Sequence, residues 1–245
     1  MRAVILAAGK GTRMKQLTSS RPKPMVEICR KPILEHILIA LRDSGIREFI
    51  LITGYFAEQV ENYFLNGEAL GVQIHYIRQR VQNGTGSAFH LAKELVGEEP
   101  FFAGYGDIIT SLNNYPRLTR DFQHRPCDGL LSLNWVDDPF RGAAVYIDHE
   151  NFITDIIEKP PAGTSTSHWN NAGLMVFSPV LFQYTSNLKP SPRGEYEITD
   201  AIRAMIGDKR QLRGFRLEGF WSDVGRPEDI EVVSRAICED KVKGD

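Results

Sequence analysis

The stretch Met1–Val26, MRAVILAAGKGTRMKQLTSSRPKPMV, constrains this chain more than any other. Ala3-Val4-Ile5-Leu6-Ala7 is an unbroken apolar run that ends near a glycine, the pattern of a parallel strand buried on both faces. Gly9-Lys10-Gly11-Thr12-Arg13 follows as a turn whose glycines can take positive φ and let a ligand come close to the backbone. Arg13, Arg21 and Lys23 add positive charge to the same short segment. A buried strand opening into a basic, glycine-rich loop is suited to holding a polyphosphate.

Two familiar phosphate loops do not fit. The dinucleotide fingerprint needs a third glycine and an acidic residue after the second strand. Here the third glycine is missing, and the second strand, Phe49-Ile50-Leu51-Ile52, runs into Thr53-Gly54-Tyr55. The P-loop needs Gly-Lys-Ser/Thr opening directly into a helix. Gly9-Lys10-Gly11-Thr12 instead leads towards Pro22 and Pro24.

Beyond this opening, strand and helix patterns alternate. Ile33, Leu34, Ile37, Leu38 and Leu41 make an apolar stripe at helical spacing, with Pro32 at its start and Gly45 at its end. A helix is predicted near 57–65, a strand at 72–77, a helix at 87–95 and a strand at 101–105. This alternation implies a parallel sheet with helices on both faces, and ligands in such sheets bind at the carboxyl ends of the strands. In the second half, strands are predicted at 130–135, 143–147, 152–157 and 173–177. Helices are predicted around Ile198–Ile206 and from Pro227 through Ile237, and polar stretches at 159–170 and 189–193 read as loops.

Lysine and arginine total 29 against 31 aspartates and glutamates, interspersed for a net charge of −2, so no polyanion-binding face is implied and nucleic acid is not an expected partner. The three cysteines, Cys29, Cys127 and Cys238, are odd in number and lack metal spacing, which predicts reduced thiols in a cytoplasmic protein. The opening apolar run is too short for a signal peptide, and no segment approaches the ~18 apolar residues that span a membrane. The six histidines show no metal-ligand pairing.

Leu6-Ala7-Ala8-Gly9-Lys10-Gly11-Thr12-Arg13-Met14, followed by Arg21-Pro22-Lys23-Pro24-Met25, resembles the opening of the sugar-1-phosphate nucleotidylyltransferases, also called nucleotide-sugar pyrophosphorylases. The resemblance implies a Rossmann-like, three-layer α/β fold with a mostly parallel central sheet, in one domain over 1–245. A nucleotide-binding half would cover about 1–110, a sugar-phosphate-binding half about 111–226, and a C-terminal helix about 227–240. No hexapeptide β-helix repeat is present, so the single-domain form is expected. The implied reaction joins a sugar 1-phosphate to a nucleoside triphosphate and expels pyrophosphate. Its reactants are both anions, so the site needs Mg²⁺, cationic side chains and geometry rather than a covalent nucleophile.

By the same resemblance, Arg13 and Lys23 are the catalytic cations, and Leu6, Ala8, Gly9, Gly11 and Thr12 complete the nucleotide loop. Asp107, in Gly106-Asp107, and Asp223, in Trp221-Ser222-Asp223-Val224-Gly225, match the family's metal-binding aspartates. Glu158 and Lys159, in Glu-Lys-Pro, would take sugar hydroxyls and the sugar phosphate. Asn171, Gly142 and Glu195 match positions near the sugar. Gln79 with Gly84 and Thr85 resembles a base-selecting segment, and one amide can accept from N3–H and donate to O4 of uracil or thymine at once. Those bases differ by one methyl, worth only ~1–3 kcal/mol in a pocket, so either is open. The run from Arg21 to Leu34 also resembles cytidylyltransferases, which keeps cytidylyl or guanylyl transfer in view, as it does a non-catalytic homologue that binds nucleotide sugars. Relatives range from monomers to tetramers, so the last helix's apolar stripe suits either core or a homo-oligomeric interface.

Overall fold

The computed structural model describes residues 1–242. The first part of the chain runs β1 (Arg2–Ala7), two 3₁₀ turns (Thr12–Thr18 and Lys23–Met25), a small hairpin of β2 (Glu27–Ile28) and β3 (Lys31–Pro32), then α1 (Ile33–Asp43). It continues through β4 (Glu48–Thr53), α2 (Ala57–Phe64), β5 (Gln73–Arg78), α3 (Thr85–His90), α4 (Lys93–Val96) and β6 (Phe101–Tyr105). After β7 (Ile108–Thr110) and α5 (Asn114–His124) come β8 (Gly129–Trp135), β9 (Ala143–Ile147), β10 (Ile153–Glu158) and β11 (Trp169–Phe177). The last elements are α6 (Leu181–Thr185), α7 (Ile198–Gly207), β12 (Leu212–Arg216), β13 (Trp221–Asp223) and α8 (Pro227–Val242).

The apolar run of β1 lies at the centre of the main sheet because both its faces find apolar cover. Ala3, Val4 and Ile5 are fully buried, with β4 and β6 paired parallel on either side. The sheet order is β10-β9-β11-β6-β1-β4-β5, with β8 pairing β11 and β12 pairing β8. Its centre, β6-β1-β4-β5, is parallel, and β11 joins β6 antiparallel to begin the second flank. The stripes of α1, α5 and α8 cover one face with Phe49, Leu51 and Phe102. Those of α3, α6 and α7 cover the other with Val4, Ile50 and Ala103, giving the expected three layers.

Several boundaries differ from the sequence expectation. The helix expected at 87–95 begins earlier, at Thr85, and breaks in two, because Leu91 N–H donates to Ala88 and Ala92 N–H to Phe89 in tighter three-residue turns. Strand β11 begins at Trp169, so the end of the predicted polar loop is strand: Asn170 faces Asn134 of β8 and donates to it at 2.9 Å. Polar propensity conceals a strand whose amides satisfy each other. The polar helix α5, with Pro116 in its first turn, had no predicted counterpart.

The cysteine expectation is corrected. Cys29, in the β2–β3 turn, and Cys238, on α8, form a disulfide across 209 residues, and Cys127 remains free and half-buried. Helix α8 packs on this hairpin, and no local spacing could announce that pairing. Thiol titration of the unfolded, unreduced protein should therefore find one thiol, where three would restore the original expectation. Cys29→Ser should lower stability by about 2–4 kcal/mol, read by denaturant titration.

Candidate active site

The carboxyl end of β1 sits between those of β4 and β6. Gly106 N–H donates to Leu6 at 2.8 Å and Tyr55 N–H to Ala8 at 3.2 Å, so both neighbouring loops are tied to the glycine turn. Gly9 is exposed with open space around it. Gly11 has φ +64°, and a Cβ there would stand 2.8 Å from Lys23 Cβ, so glycine lets this turn close over the lysine stem. Thr12 starts the first 3₁₀ turn, Thr18 Oγ1 donates to Gly11 at 2.9 Å, and Arg13 leaves this turn with its side chain 60% exposed.

Lys23 ends in the buried angle between two carboxylates. Its Nζ lies 2.5 Å from Asp107 Oδ2 and 3.0 Å from Asp223 Oδ1, with the lysine side chain only 8% exposed. Burial draws its pKa down, but the two neighbouring carboxylates outweigh that and raise it above the ordinary lysine value. Asp107 follows β6, and Asp223 closes β13, which pairs antiparallel with β7 so that Asp223 stands opposite Ile108. Val224 N–H donates to Asp107 at 3.0 Å, and Trp221 Nε1 donates to Ala172 at 2.9 Å, fastening this strand to β11. Arg13 approaches Asp223 Oδ2 at 3.7 Å.

These two carboxylates suit a divalent cation of limited protein ligation. Among the described residues no cluster of three or more acidic, histidine or cysteine ligands exists. A Mg²⁺ held by one or two carboxylates takes its remaining ligands from phosphate oxygens and water, which matches this donor set.

Beside the aspartates lies a cavity of about 230 Å³ lined by Thr85, Gly142, Glu158, Lys159, Asn171 and Glu195 together with Asp107 and Asp223. Lys159 has φ +41°, a costly backbone for a residue with a Cβ, and its N–H donates to Gly142 at 2.7 Å. A Cβ on Gly142 would fall 2.0 Å from Asn170 Oδ1, which accepts from Ala143 N–H at 3.1 Å. Asn171 Oδ1 accepts from Gly173 N–H, at the β11 bulge where Gly173 has φ +80°.

The structure adds residues that the sequence reading did not select. Arg193 lies 3.3 Å from Glu158 and 3.2 Å from both Glu195 and Glu197. Its position as the one base in Pro192-Arg193-Gly194-Glu195-Tyr196-Glu197 is the signal that could have marked it. Glu197, just before α7, is buried and lines the same cavity. Desolvation raises the pKa of Glu158, helped by Glu197 and opposed by Lys159 and Arg193. Desolvation likewise raises that of Glu197, against the attraction of Arg193.

Arg13 lines an adjoining cavity of about 290 Å³ that shares Gly142 and Asp223 with the first. Leu6, Ala8, Gly9, Gly11, Thr12, Lys23, Gln79 and Gly84 line neither. Gln79 is buried, with Nε2 directed at Gly84 O (3.3 Å) and Ser87 Oγ (3.4 Å). Its segment is stitched to the Arg193–Glu197 loop: Tyr196 N–H donates to Asn83, Gly86 N–H to Tyr196, and Ile198 N–H to Thr85 Oγ1.

A family model described as nucleotidyl transferase matches residues 2–240. The chain belongs to the nucleotidyl transferase family. Among curated members, the UTP–glucose-1-phosphate uridylyltransferase AglF of Haloferax volcanii is 34% identical, with 98% of each chain covered. The bifunctional protein GlmU of Methanococcus maripaludis is 36% identical over 235 residues, and there the chain spans about half of the relative (53%) while 94% of the chain is covered. Among solved members, a putative glucose-1-phosphate thymidylyltransferase from Bacillus anthracis, in complex with a sucrose, superposes with TM-score 0.86 at 28% identity over 96% of each chain. A UDP-glucose pyrophosphorylase complexed with UDP-glucose shares the fold, with TM-score 0.87 at 24% identity over 98% of each chain.

The raised pKa of Glu197 sets a test of the electrostatics of this cavity. A carboxyl whose folded pKa is raised contributes stability below its unfolded pKa and loses it as pH rises through the folded value. Glu197→Gln should therefore gain thermal stability relative to the wild-type chain as pH climbs from the ordinary glutamate range towards neutrality. A difference independent of pH would show that Glu197 ionises normally.

Proposed function

We propose that this protein transfers a nucleotidyl group from UTP or dTTP to a hexose 1-phosphate, releasing pyrophosphate and a nucleotide sugar. The observation that carries this is the meeting of Asp107, Asp223 and Lys23 at the edge of a cavity lined by Lys159, Glu158 and Asn171. Cations and metal-ligating carboxylates beside a small polar cavity provide for two anionic reactants whose mutual repulsion must be overcome. The uridylyltransferase name of AglF, which this chain matches over nearly its full length, supports a uracil nucleotide, and the thymidylyltransferase name of the Bacillus anthracis structure supports a thymine one. The nucleotide half would fall in about 1–110 and the sugar-phosphate half in about 111–226.

The sugar phosphate oxygen is already ionised at neutral pH, so no general base is required. Lys159, aimed by its left-handed backbone, would fix the incoming phosphate, with Arg193 as a second cation. Glu158 and Asn171 would accept from and donate to sugar hydroxyls, and Gly142 would offer backbone where a side chain has no room. The turn from Leu6 to Thr12 would receive the triphosphate through backbone N–H groups, and Arg13 would stabilise charge on the leaving pyrophosphate. Lys23 would neutralise phosphate oxygens at the reacting centre. Gln79, Gly84 and Thr85 would border the base, and Glu195 would brace Arg193. Asp107 and Asp223 would hold Mg²⁺, whose Lewis acidity lowers the charge on the phosphates.

Pyrophosphate release with Mg²⁺, over UTP, dTTP, CTP and GTP crossed with glucose, N-acetylglucosamine and mannose 1-phosphates, tests the proposal. One productive pair, silenced by Asp107→Asn, is expected. Turnover with CTP or GTP alone would move the base assignment, and silence across the panel with retained UTP affinity would indicate a binding protein. Arg13→Ala should lower kcat by ~10²–10³-fold while the thermal midpoint stays near wild type. An equal loss of activity and fold would make Arg13 structural.

A further inference from the structure

Lys23 is the one cation within hydrogen-bond distance of both aspartates among the described residues, and it engages one carboxylate oxygen of each. We propose that Lys23 is a resident counter-ion for Asp107 and Asp223 that divalent metal must displace, so metal binds weakly to the free protein and tightly only together with the nucleoside triphosphate. This rests on the reading of the two aspartates as metal ligands.

The distances make the competition physical. An ammonium nitrogen 2.5 Å from Asp107 Oδ2 and 3.0 Å from Asp223 Oδ1 competes for those two oxygens with a Mg²⁺ that needs its ligands at about 2.0–2.1 Å. The two positive charges would also stand within an ion-pair distance of each other, in a place where the lysine is almost wholly shielded from water. With Lys23 in position the aspartate pair presents one net negative charge instead of two, which weakens its hold on a dication. Arg13 does not fill this role, being 3.7 Å from Asp223 alone and largely exposed.

The lysine stem is not free to leave with its end group. Pro22 and Pro24 flank it, and the Gly11 backbone packs so closely that an added Cβ would meet Lys23 Cβ at 2.8 Å. Only the ammonium end is left free to swing, and its stem lies against the glycine turn that faces the proposed triphosphate. Arrival of a polyphosphate therefore supplies Lys23 with a new anionic partner at the moment the aspartates are required for metal. Metal and nucleotide affinities become coupled through one side chain, each favouring the other.

Mn²⁺ binding to the free protein, followed by electron paramagnetic resonance without any nucleotide, tests this directly. Lys23→Met keeps the stem and removes the charge, and it should bind Mn²⁺ ~10-fold or more tightly than wild type. Adding UTP should strengthen Mn²⁺ binding to the wild-type protein by a larger factor than to Lys23→Met. Mn²⁺ should also raise the thermal midpoint of Lys23→Met further than that of wild type. Lys23→Gln, which can still donate to one carboxylate, provides a second variant if the methionine destabilises the fold, and it should shift affinity in the same direction. Equal Mn²⁺ affinity in wild type and the charge-free variants overturns the proposal. Adding Asp107→Ala and Asp223→Ala to Lys23→Met distinguishes the deeper failure: if the Mn²⁺ site survives loss of both carboxylates, the aspartates are not the ligands and the metal reading itself is wrong.

Discussion

A lysine ammonium wedged between two aspartates joins three distant parts of this chain. Lys23 reaches Asp107 across 84 residues and Asp223 across 200. Burying a charged amine in this way is costly unless carboxylates compensate it, and these two lie within hydrogen-bond distance of it. The contact sets the spacing between the glycine turn, the end of β6 and the short strand β13. Trp221 then transmits that spacing to β11 through its bond to Ala172, and β11 carries Asn171. Geometry around the cavity thus depends on the same ion cluster that marks its edge.

The main sheet divides the labour of building the site. Its parallel centre ends in the glycine turn, where three adjacent strands deliver their loops to one edge. Its antiparallel flank supplies Gly142, Glu158 and Asn171 from β9, β10 and β11 or their immediate ends. The β11 bulge, with Gly173 in a left-handed conformation against Tyr105 and Ile108, falls in a strand that pairs with β8 along one edge and with β9 and then β6 along the other. The two sides are also sewn together directly. Backbone bonds between Asn83–Gly86 and Tyr196 make the Gln79 segment and the Arg193 loop parts of one unit. A Cβ at Gly84 would strike the Tyr196 backbone at 2.4 Å, which explains the glycine at that junction.

Charge within the cavity is balanced locally, in keeping with a chain of almost neutral total. Glu158, Glu195 and Glu197 converge on Arg193, and Lys159 adds a second cation nearby. Desolvation holds Glu158 and Glu197 above the ordinary glutamate pKa, against the pull of Arg193. At the opposite side of the sheet, the Cys29–Cys238 bond fastens α8 to the hairpin that follows the lysine loop.

What the sequence determined by itself was local or strongly patterned. The apolar run Ala3–Ala7 required a buried strand, α1 and α7 declared themselves by their stripes, and Gly9–Arg13 announced a basic turn at the carboxyl end of β1. Asp107, Glu158, Lys159 and Asp223 could be named because short motifs surround them. Tertiary structure alone decided that Lys23 lies between the aspartates, that Arg193 faces three glutamates, that Asn170 belongs to a strand, and that Cys29 meets Cys238. Each of these joins residues far apart in the chain through side chains whose local propensities are neutral or misleading. Their pairing becomes favourable only after the sheet has brought them together and removed the water that would otherwise satisfy them.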